Sequence, residues 1–391
     1  MSKLLISCDN SLFCKDGTYY FKDQEWHDFY QRYLRVFDEI RIANRVDTEE
    51  IVPSKRIKVD DPRIEVIRIP EFSGPTQYAK HYFEISKILK GITRGCDVAI
   101  VRLPSTIGQR VCNAVIKSEI PYAVEVVYDA EDGWKSETKL INKLLWMKID
   151  KDMRKSCYRA DGISCVTEKY LQRHYFSKKQ NAFNSNYSTL ALDKSFYLHP
   201  KLYPQNHTFV IANVANQVQF NGRKGFNEII AAISELKKRG ITIEAKFVGK
   251  SYHDGQRLLT EYSKALGVES QIEYKGYVTR SELNAFLTDV DLFVMPTRAE
   301  GLPRTIIEAM AKGLPCITTP VSGNPELVSE HFLVEYSDVT TLADRIQELV
   351  TNKELYEATS KENFERSLQY EASVLEKRRD EFYSKLKQCI K

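Results

Sequence analysis

Short apolar runs recur along the chain with amphipathic stretches between them, and the alternation falls into two halves. In the first half the runs lie at 4–7, 39–43, 64–69, 98–103, 122–127 and 162–166, each bounded by polar or glycine-containing residues, as strands are. Between them the apolar period lengthens to three and four. Trp26, Phe29, Tyr30, Tyr33, Leu34 and Phe37 fall on one helical face, a stripe expected to meet a core rather than a ligand. The second half opens with a strand at 209–212 and continues through helix 225–239, strand 244–248, helix 254–266, strand 272–274 and helix 280–287. Strands at 291–296 and 315–319, a helix at 339–351 and a charged helical segment at 353–391 complete it. Residues 177–208, rich in Asn, Ser, Lys and Tyr, keep no period and read as a linker with a short strand at 190–192. Strand–helix alternation of this kind predicts α/β architecture: two Rossmann-like, doubly wound domains, 1–190 and 191–370, with a final helix, 371–391, returning to the first. Domains of that type facing across a cleft would hold a ligand at the carboxyl ends of their sheets.

Composition narrows the class. A chain of 391 residues, 42% hydrophobic and 28% charged, is globular and too long for one ordinary core. With 57 basic against 53 acidic residues it lacks the concentrated positive charge of a nucleic-acid binder. No apolar run approaches the ~20 residues that span a bilayer. A strand-like run follows directly on Met1, Ser2 and Lys3, so no leader is expected and the location is read as cytoplasmic. The eight cysteines show no Cys-x-x-Cys spacing and are expected as buried free thiols rather than zinc ligands. One basic amphipathic segment has two readings: Leu140, Ile141, Leu144 and Leu145, among Lys139, Lys143 and Lys148, form either the buried face of a domain helix, the preferred reading, or a peripheral contact with the anionic inner face of a plasma membrane.

The candidate chemistry concentrates in the second half. The apolar run 291–296 leads into Glu300, Gly301, Leu302, Pro303 and Arg304, after which a short helix carries Glu308 and stops before Gly313. Proline suits the first helical turn and glycine the residue past the last. Strand, loop and helix N-terminus in that order are what α/β proteins use to hold phosphorylated ligands. Glu300 and Glu308 are carboxylates able to accept two sugar or ribose hydroxyls each. Nothing in their spacing makes them an acid–base pair. Gly222, Arg223, Lys224 and Gly225 stand between a strand and a helix, where Lys224, and secondarily Arg223, would meet a phosphate. Gly249 with Lys250, and Tyr277 with Val278 after Gly276, put backbone at strand ends, either to grip a base or phosphate or as ordinary turns. In the first half, Asp129 follows an apolar strand and would take an acceptor hydroxyl, serve as a weak base or cap a helix. The loop Cys8, Asp9, Asn10, Ser11 is a weaker companion. There is no Gly-x-x-x-x-Gly-Lys-Ser/Thr, Gly-x-Ser-x-Gly or His-Glu-x-x-His, and no Asp-x-Asp between apolar strands to hold a metal on a diphosphate.

These motifs resemble the family-four glycosyltransferases of GT-B architecture. The resemblance rests on Glu300 and Glu308, the run Ala309 to Ile317, Gly323-Asn324-Pro325-Glu326, Asp291 to Pro296, and Lys224-Gly225, and it covers the second half. Residues 101–104 and 125–129 are similar to the first domain of bacterial surface-polysaccharide members. The resemblance implies a retaining, metal-independent transferase that uses a nucleotide-sugar, most simply a UDP-sugar, as substrate, needs no cofactor, and acts on a glycan or lipid-linked saccharide. It implies that Glu308 holds the ribose, Glu300 the donor sugar, and Gly301, Leu302 and Pro303 the loop beside sugar and diphosphate, with Lys224 neutralising the leaving group. The chain departs from the family in three places. It lacks the usual arginine after the first strand of the second domain, where Asn213 to Asn216 stand, so either Arg223 substitutes or the leaving group is less stabilised. Paired glycines are missing near Cys8, and Tyr128 stands where a histidine often precedes the aspartate. A sugar-nucleotide epimerase and a non-catalytic nucleotide-binding partner of a transferase are the alternative readings.

Overall fold

The computed structural model describes residues 1–8, 10–135, 140–190, 192–205 and 207–390. Asp9, Lys139 and Ala191, named above, lie outside the described residues. Two compact units form: Met1–Tyr187 with Glu376–Lys391, and Ser188–Leu375.

The first unit is built on a ten-stranded sheet. Its strands are β1 (Lys3–Ser7), β2 (Leu12–Lys15), β3 (Thr18–Phe21), β4 (Glu39–Thr48), β5 (Ile57–Lys58), β6 (Ile64–Pro70), β7 (Val98–Leu103), β8 (Tyr122–Val126), β9 (Gly162–Cys165) and β10 (Phe183–Asn186). The order is β10-β9-β8-β7-β1-β4-β2-β3-β5, with β6 also on β4. β7, β8 and β9 are buried at every position, as parallel strands covered on both faces must be. β2 and β3 form an antiparallel hairpin closed by Asp16 and Gly17, both at positive φ, the backbone that a two-residue turn demands. β10 falls within the stretch read as linker: Phe183–Asn186 pairs in parallel with β9. Of the aromatic stripe, Phe29, Tyr30, Tyr33, Leu34 and Phe37 are buried.

A buried carboxylate ties the C-terminal segment to this unit. Glu125, in β8, accepts hydrogen bonds from the hydroxyls of Tyr187 and Tyr383 at 2.9 Å on Oε1 and of Tyr33 at 3.2 Å on Oε2. Arg102 Nε lies 3.2 Å from the same Oε2. Tyr383 comes from the helix Ala372–Gln388 and stacks on Tyr33, with ring centroids 4.8 Å apart. Burial, and then the Glu125 charge, push the three tyrosines well above the ordinary phenol range. Burial is the largest single influence on Arg102 and opposes its charge, but Glu125 and then Tyr33, Cys8 and Tyr383 together outweigh it, and the guanidinium pKa is raised.

The preferred reading of the basic amphipathic segment is corrected. It lies in the helix Leu140–Tyr158, but Leu140, Ile141, Leu144 and Leu145 are exposed. The inward face is carried by Met153, Ser156 and Cys157. Trp146 packs from the same side on Gly133, where an added Cβ would sit 2.7 Å from the indole.

The second unit has five parallel strands: β11 (Phe209–Val218), β12 (Ile243–Ser251), β13 (Ile272–Gly276), β14 (Leu292–Met295) and β15 (Cys316–Thr318). They are ordered β13-β12-β11-β14-β15. The chain therefore winds outward from β11 in one direction and from β14 in the other, which leaves the loops after these two central strands diverging at the carboxyl edge. That is the topological switch point at which such sheets take ligands. β11 runs six residues beyond the expected end, with a register shift between Val214 and Gln217.

Replacing Glu125 with Ala would leave Arg102 buried without its counter-charge. The expected loss is about 3–5 kcal/mol, whereas Tyr383→Phe, which removes one bond to a charged group, should cost about 1.5–3 kcal/mol. Urea denaturation followed by far-UV circular dichroism measures both.

Candidate functional site

The switch point of the second unit brings Lys224 and Glu300 together. Asn213, fully buried in β11, donates from Nδ2 to the Lys224 carbonyl at 2.9 Å and holds the loop down. Gly225 follows at φ 72°, and a Cβ there would lie 2.2 Å from the Pro296 carbonyl oxygen. Only glycine permits both that backbone and that approach. From the other side the Arg298 amide donates to the Arg223 carbonyl at 2.9 Å. The loops after β11 and β14 are thus laced at two points, and the Lys224 ammonium donates to Glu300 Oε1. Thr297, fully buried, donates its hydroxyl to the same oxygen at 3.0 Å. The Lys224 side chain is 23% exposed and that of Glu300 12%, so each charge is largely desolvated yet reachable.

The next loop braces this one. Thr319 donates to the Thr297 carbonyl at 2.6 Å, and Thr318 to the Met295 carbonyl at 2.8 Å. Asn324 Nδ2 bonds Thr318 Oγ1 at 2.9 Å and the Thr319 carbonyl at 3.0 Å. The Gly301 carbonyl accepts from Ser322 Oγ at 2.9 Å and the Gly323 amide at 3.1 Å. Leu302 and Pro303 are buried. The helix Arg304–Ala311 begins one residue after Pro303, which occupies the N-cap position, and Arg304 is exposed on its first turn. Glu308 sits on the second turn, 5% exposed. Lys312, from the same motif, is buried with its ammonium 4.3 Å from the Phe196 ring centre, and burial lowers its pKa.

The remaining second-unit residues occupy neighbouring strand ends. Gly249, near the end of β12, has φ 146°, and a Cβ there would meet the Ala215 carbonyl at 2.4 Å. The Lys250 ammonium stands 5.2 Å over the ring of exposed Tyr277, with Val278 half-buried beside it. The Arg223 side chain is exposed. Asp129 belongs to the first unit, at the entrance of the helix Ala130–Lys135. It is fully buried, and its Oδ1 accepts from the Glu131 amide at 2.9 Å and from the Tyr175 hydroxyl at 2.9 Å. The same hydroxyl lies 2.9 Å from Asp150 Oδ1, and Arg154 Nε bonds both Asp150 oxygens at 2.9 Å. Asp129 thus has the local geometry of a helix cap. Burial, followed by the charges of Asp129 and Asp150, drives the Tyr175 pKa far up. In the Cys8 loop, Asn10 and Asn44 are tied together through Asn44 Nδ2 at 2.6 Å.

Sequence reasoning missed Asn213, Thr297, Thr319 and Ser322 as supports. Hydroxyl and amide side chains directly at the ends of apolar strands were the available signal.

A basic loop, a carboxylate and a helix N-terminus thus meet at the switch point of a parallel sheet, the place where such sheets take ligands. Residues 209–366 match the family described as Glycosyl transferases group 1. The chain is 27% identical to Protein CapJ of Staphylococcus aureus over 86% of its own length and 84% of that protein's. It is 29% identical to a putative colanic acid biosynthesis glycosyltransferase, WcaL of Salmonella typhimurium, over 41% of each chain. The structure of Anabaena Alr3699/HepE in complex with UDP matches with a TM-score of 0.67 at 13% identity, over 96% of this chain and 98% of that one. The second unit carries a group 1 glycosyltransferase domain, and the chain is a glycosyltransferase with the GT-B fold.

Gly225→Ala should cost about 1–3 kcal/mol of stability, because the new methyl group overlaps the Pro296 carbonyl. Thermal denaturation measures the loss; an unchanged melting temperature would mean that the two loops are not held at this distance.

Proposed function

We propose that the chain transfers a sugar, with retention of anomeric configuration and without a metal ion, from a UDP-sugar to a glycan or lipid-linked saccharide during assembly of a bacterial surface polysaccharide. The observation that carries this reading is the Lys224–Glu300 pair at the switch point. A lysine held at a helix entrance by its own backbone carbonyl is preorganised to neutralise charge as it develops on a departing diphosphate. Arg304 adds positive charge to a helix end that is already positive, an arrangement that weakens the helix alone and suits an anion. On this reading Glu300 holds the donor sugar, Glu308 the ribose, and Gly301 to Pro303 the space between them. The loops bearing Gly249, Lys250, Tyr277 and Val278 take the base end. Arg223 supplies a second positive charge in place of the arginine absent near Asn213, and Asp129, fully buried and bonded to the Glu131 amide and the Tyr175 hydroxyl, takes the cap role rather than meeting the acceptor. The UDP found with HepE and the polysaccharide named for WcaL support the donor and the pathway class. The enzyme is placed at the cytoplasmic face of the membrane, where a lipid-linked acceptor would be reached.

In the reaction the bond between the sugar's anomeric carbon and the diphosphate oxygen breaks with its electron pair on the diphosphate. The acceptor oxygen forms the new bond on the same face and passes its proton to the departing diphosphate oxygen. Lys224→Ala and Glu300→Gln should each lower turnover by about 10²–10³, with a lowered melting temperature because each leaves a largely desolvated partner without its counter-charge, while far-UV circular dichroism at the assay temperature matches the parent's. Unchanged turnover in both would remove this site from the reaction. UDP at about a hundred times its Kd should add about 2.7 kcal/mol to the stability of the native state. A melting temperature indifferent to UDP but raised by another nucleotide would overturn the choice of donor. Chelator-insensitive activity, and a product whose anomeric proton signal matches the donor's configuration, test the metal-free and retaining parts.

A further inference from the structure

The helix Leu140–Tyr158 has an outward face of the wrong polarity for an ordinary surface helix. Its first turns expose Leu140 (70%), Ile141 (81%), Leu144 (56%), Leu145 (43%) and Met147 (45%). At about 100° per residue, Leu140, Leu144, Met147, Lys151 and Lys155 fall within one stripe about 80° wide. Met153 and Cys157, on the other side, are fully buried and fix that stripe as the one turned to solvent. A surface helix normally presents polar residues there, and single exposed apolar residues need no explanation, but five within eight positions make a patch.

Charge along the same stripe selects the occupant. Lys151 and Lys155 are exposed and have no acidic partner among the described residues. The helix's own carboxylates are engaged elsewhere: Asp150 by Arg154 and the Tyr175 hydroxyl, Asp152 by Lys148. The stripe therefore reads apolar at its beginning and cationic towards its end. A second copy of the chain docked face to face would bring these lysines towards one another if parallel and set them on its leucines if antiparallel, and lysine is depleted at the centre of protein interfaces. A bilayer carrying anionic lipid meets both halves at once. Aliphatic side chains bury in the boundary between headgroups and acyl chains, and lysine stems lie along the surface with their ammonium groups on phosphates.

We propose that the outward face of this helix docks the protein on an anionic lipid bilayer, with Leu140, Leu144 and Met147 in the acyl boundary and Lys151 and Lys155 on lipid phosphates. The proposal goes beyond the donor-site reading and does not rest on it. Co-sedimentation of the full chain with vesicles of phosphatidylcholine alone, or mixed with phosphatidylglycerol, tests it. Binding should require phosphatidylglycerol and weaken as salt rises. Leu144→Glu should reduce it about tenfold or more, and Lys151→Gln and Lys155→Gln about fivefold each. Since all three positions are exposed, their melting temperatures should match the parent's. Lys224→Ala should bind vesicles as the parent does, which separates a failure here from a failure of the donor site. Failure of the parent to bind phosphatidylglycerol vesicles, or equal binding by Leu144→Glu, overturns the proposal. A parent dimer in sedimentation velocity without lipid, reduced to monomer by Leu144→Glu, would overturn it in favour of a second copy.

Discussion

An ammonium and a carboxylate, each taken mostly out of water, must find a counter-charge, and in this chain Lys224 and Glu300 find it in each other. That requirement gives meaning to much of the second unit. The two side chains meet only because β11 and β14 lie side by side while the chain winds away from them in opposite directions. With the pair closed, the ligand-free site is neutral at its centre. On the proposed reading, a diphosphate approaching Lys224 would exchange one anion for another, and the released carboxylate would be left where it could accept the hydroxyls of the attached sugar.

Exchange of this kind works only if the partners stay in place when the pair opens. The surrounding bonds supply that rigidity. Asn213 holds Lys224 by its main chain rather than its side chain, so the ammonium is free to change partner while its anchor is not. Thr297 acts differently on Glu300, holding its carboxylate through Oε1, and the Thr297 carbonyl is in turn held by Thr319. Gly225 allows the two loops to approach more closely than any other residue would permit. A site preorganised in this way spends little free energy on reorganisation when charge develops.

The first unit is organised around a different buried carboxylate. Glu125 gathers three tyrosines and an arginine, one of the tyrosines arriving from the far end of the chain. A second polar cluster links Asp129, Tyr175, Asp150 and Arg154. These networks are expensive to leave half-satisfied, and each therefore specifies one arrangement of the elements that contribute to it.

The sequence by itself determined the α/β alternation, the order of the second unit's elements and the residues at its loop ends, because strands buried on both faces must be continuously apolar and the turns between them must be polar or glycine. It was blind where that rule lapses. The half-buried hairpin β2–β3 was overlooked although Asp16 and Gly17 announce the turn, since strands of four residues with only partial burial show no run. β10, with the sequence FNSN, is a strand only because β9 offers its edge. The amphipathic segment after residue 139 posed a different difficulty: periodicity shows that a helix has two faces but not which of them the fold will cover. Met153 and Cys157, further along the same helix, made that decision by packing inward and turning the leucines out. Pairing was likewise beyond the sequence. Lys224 and Glu300 are 76 positions apart, and only the strand order, which depends on the packing of the whole sheet, brings them into contact.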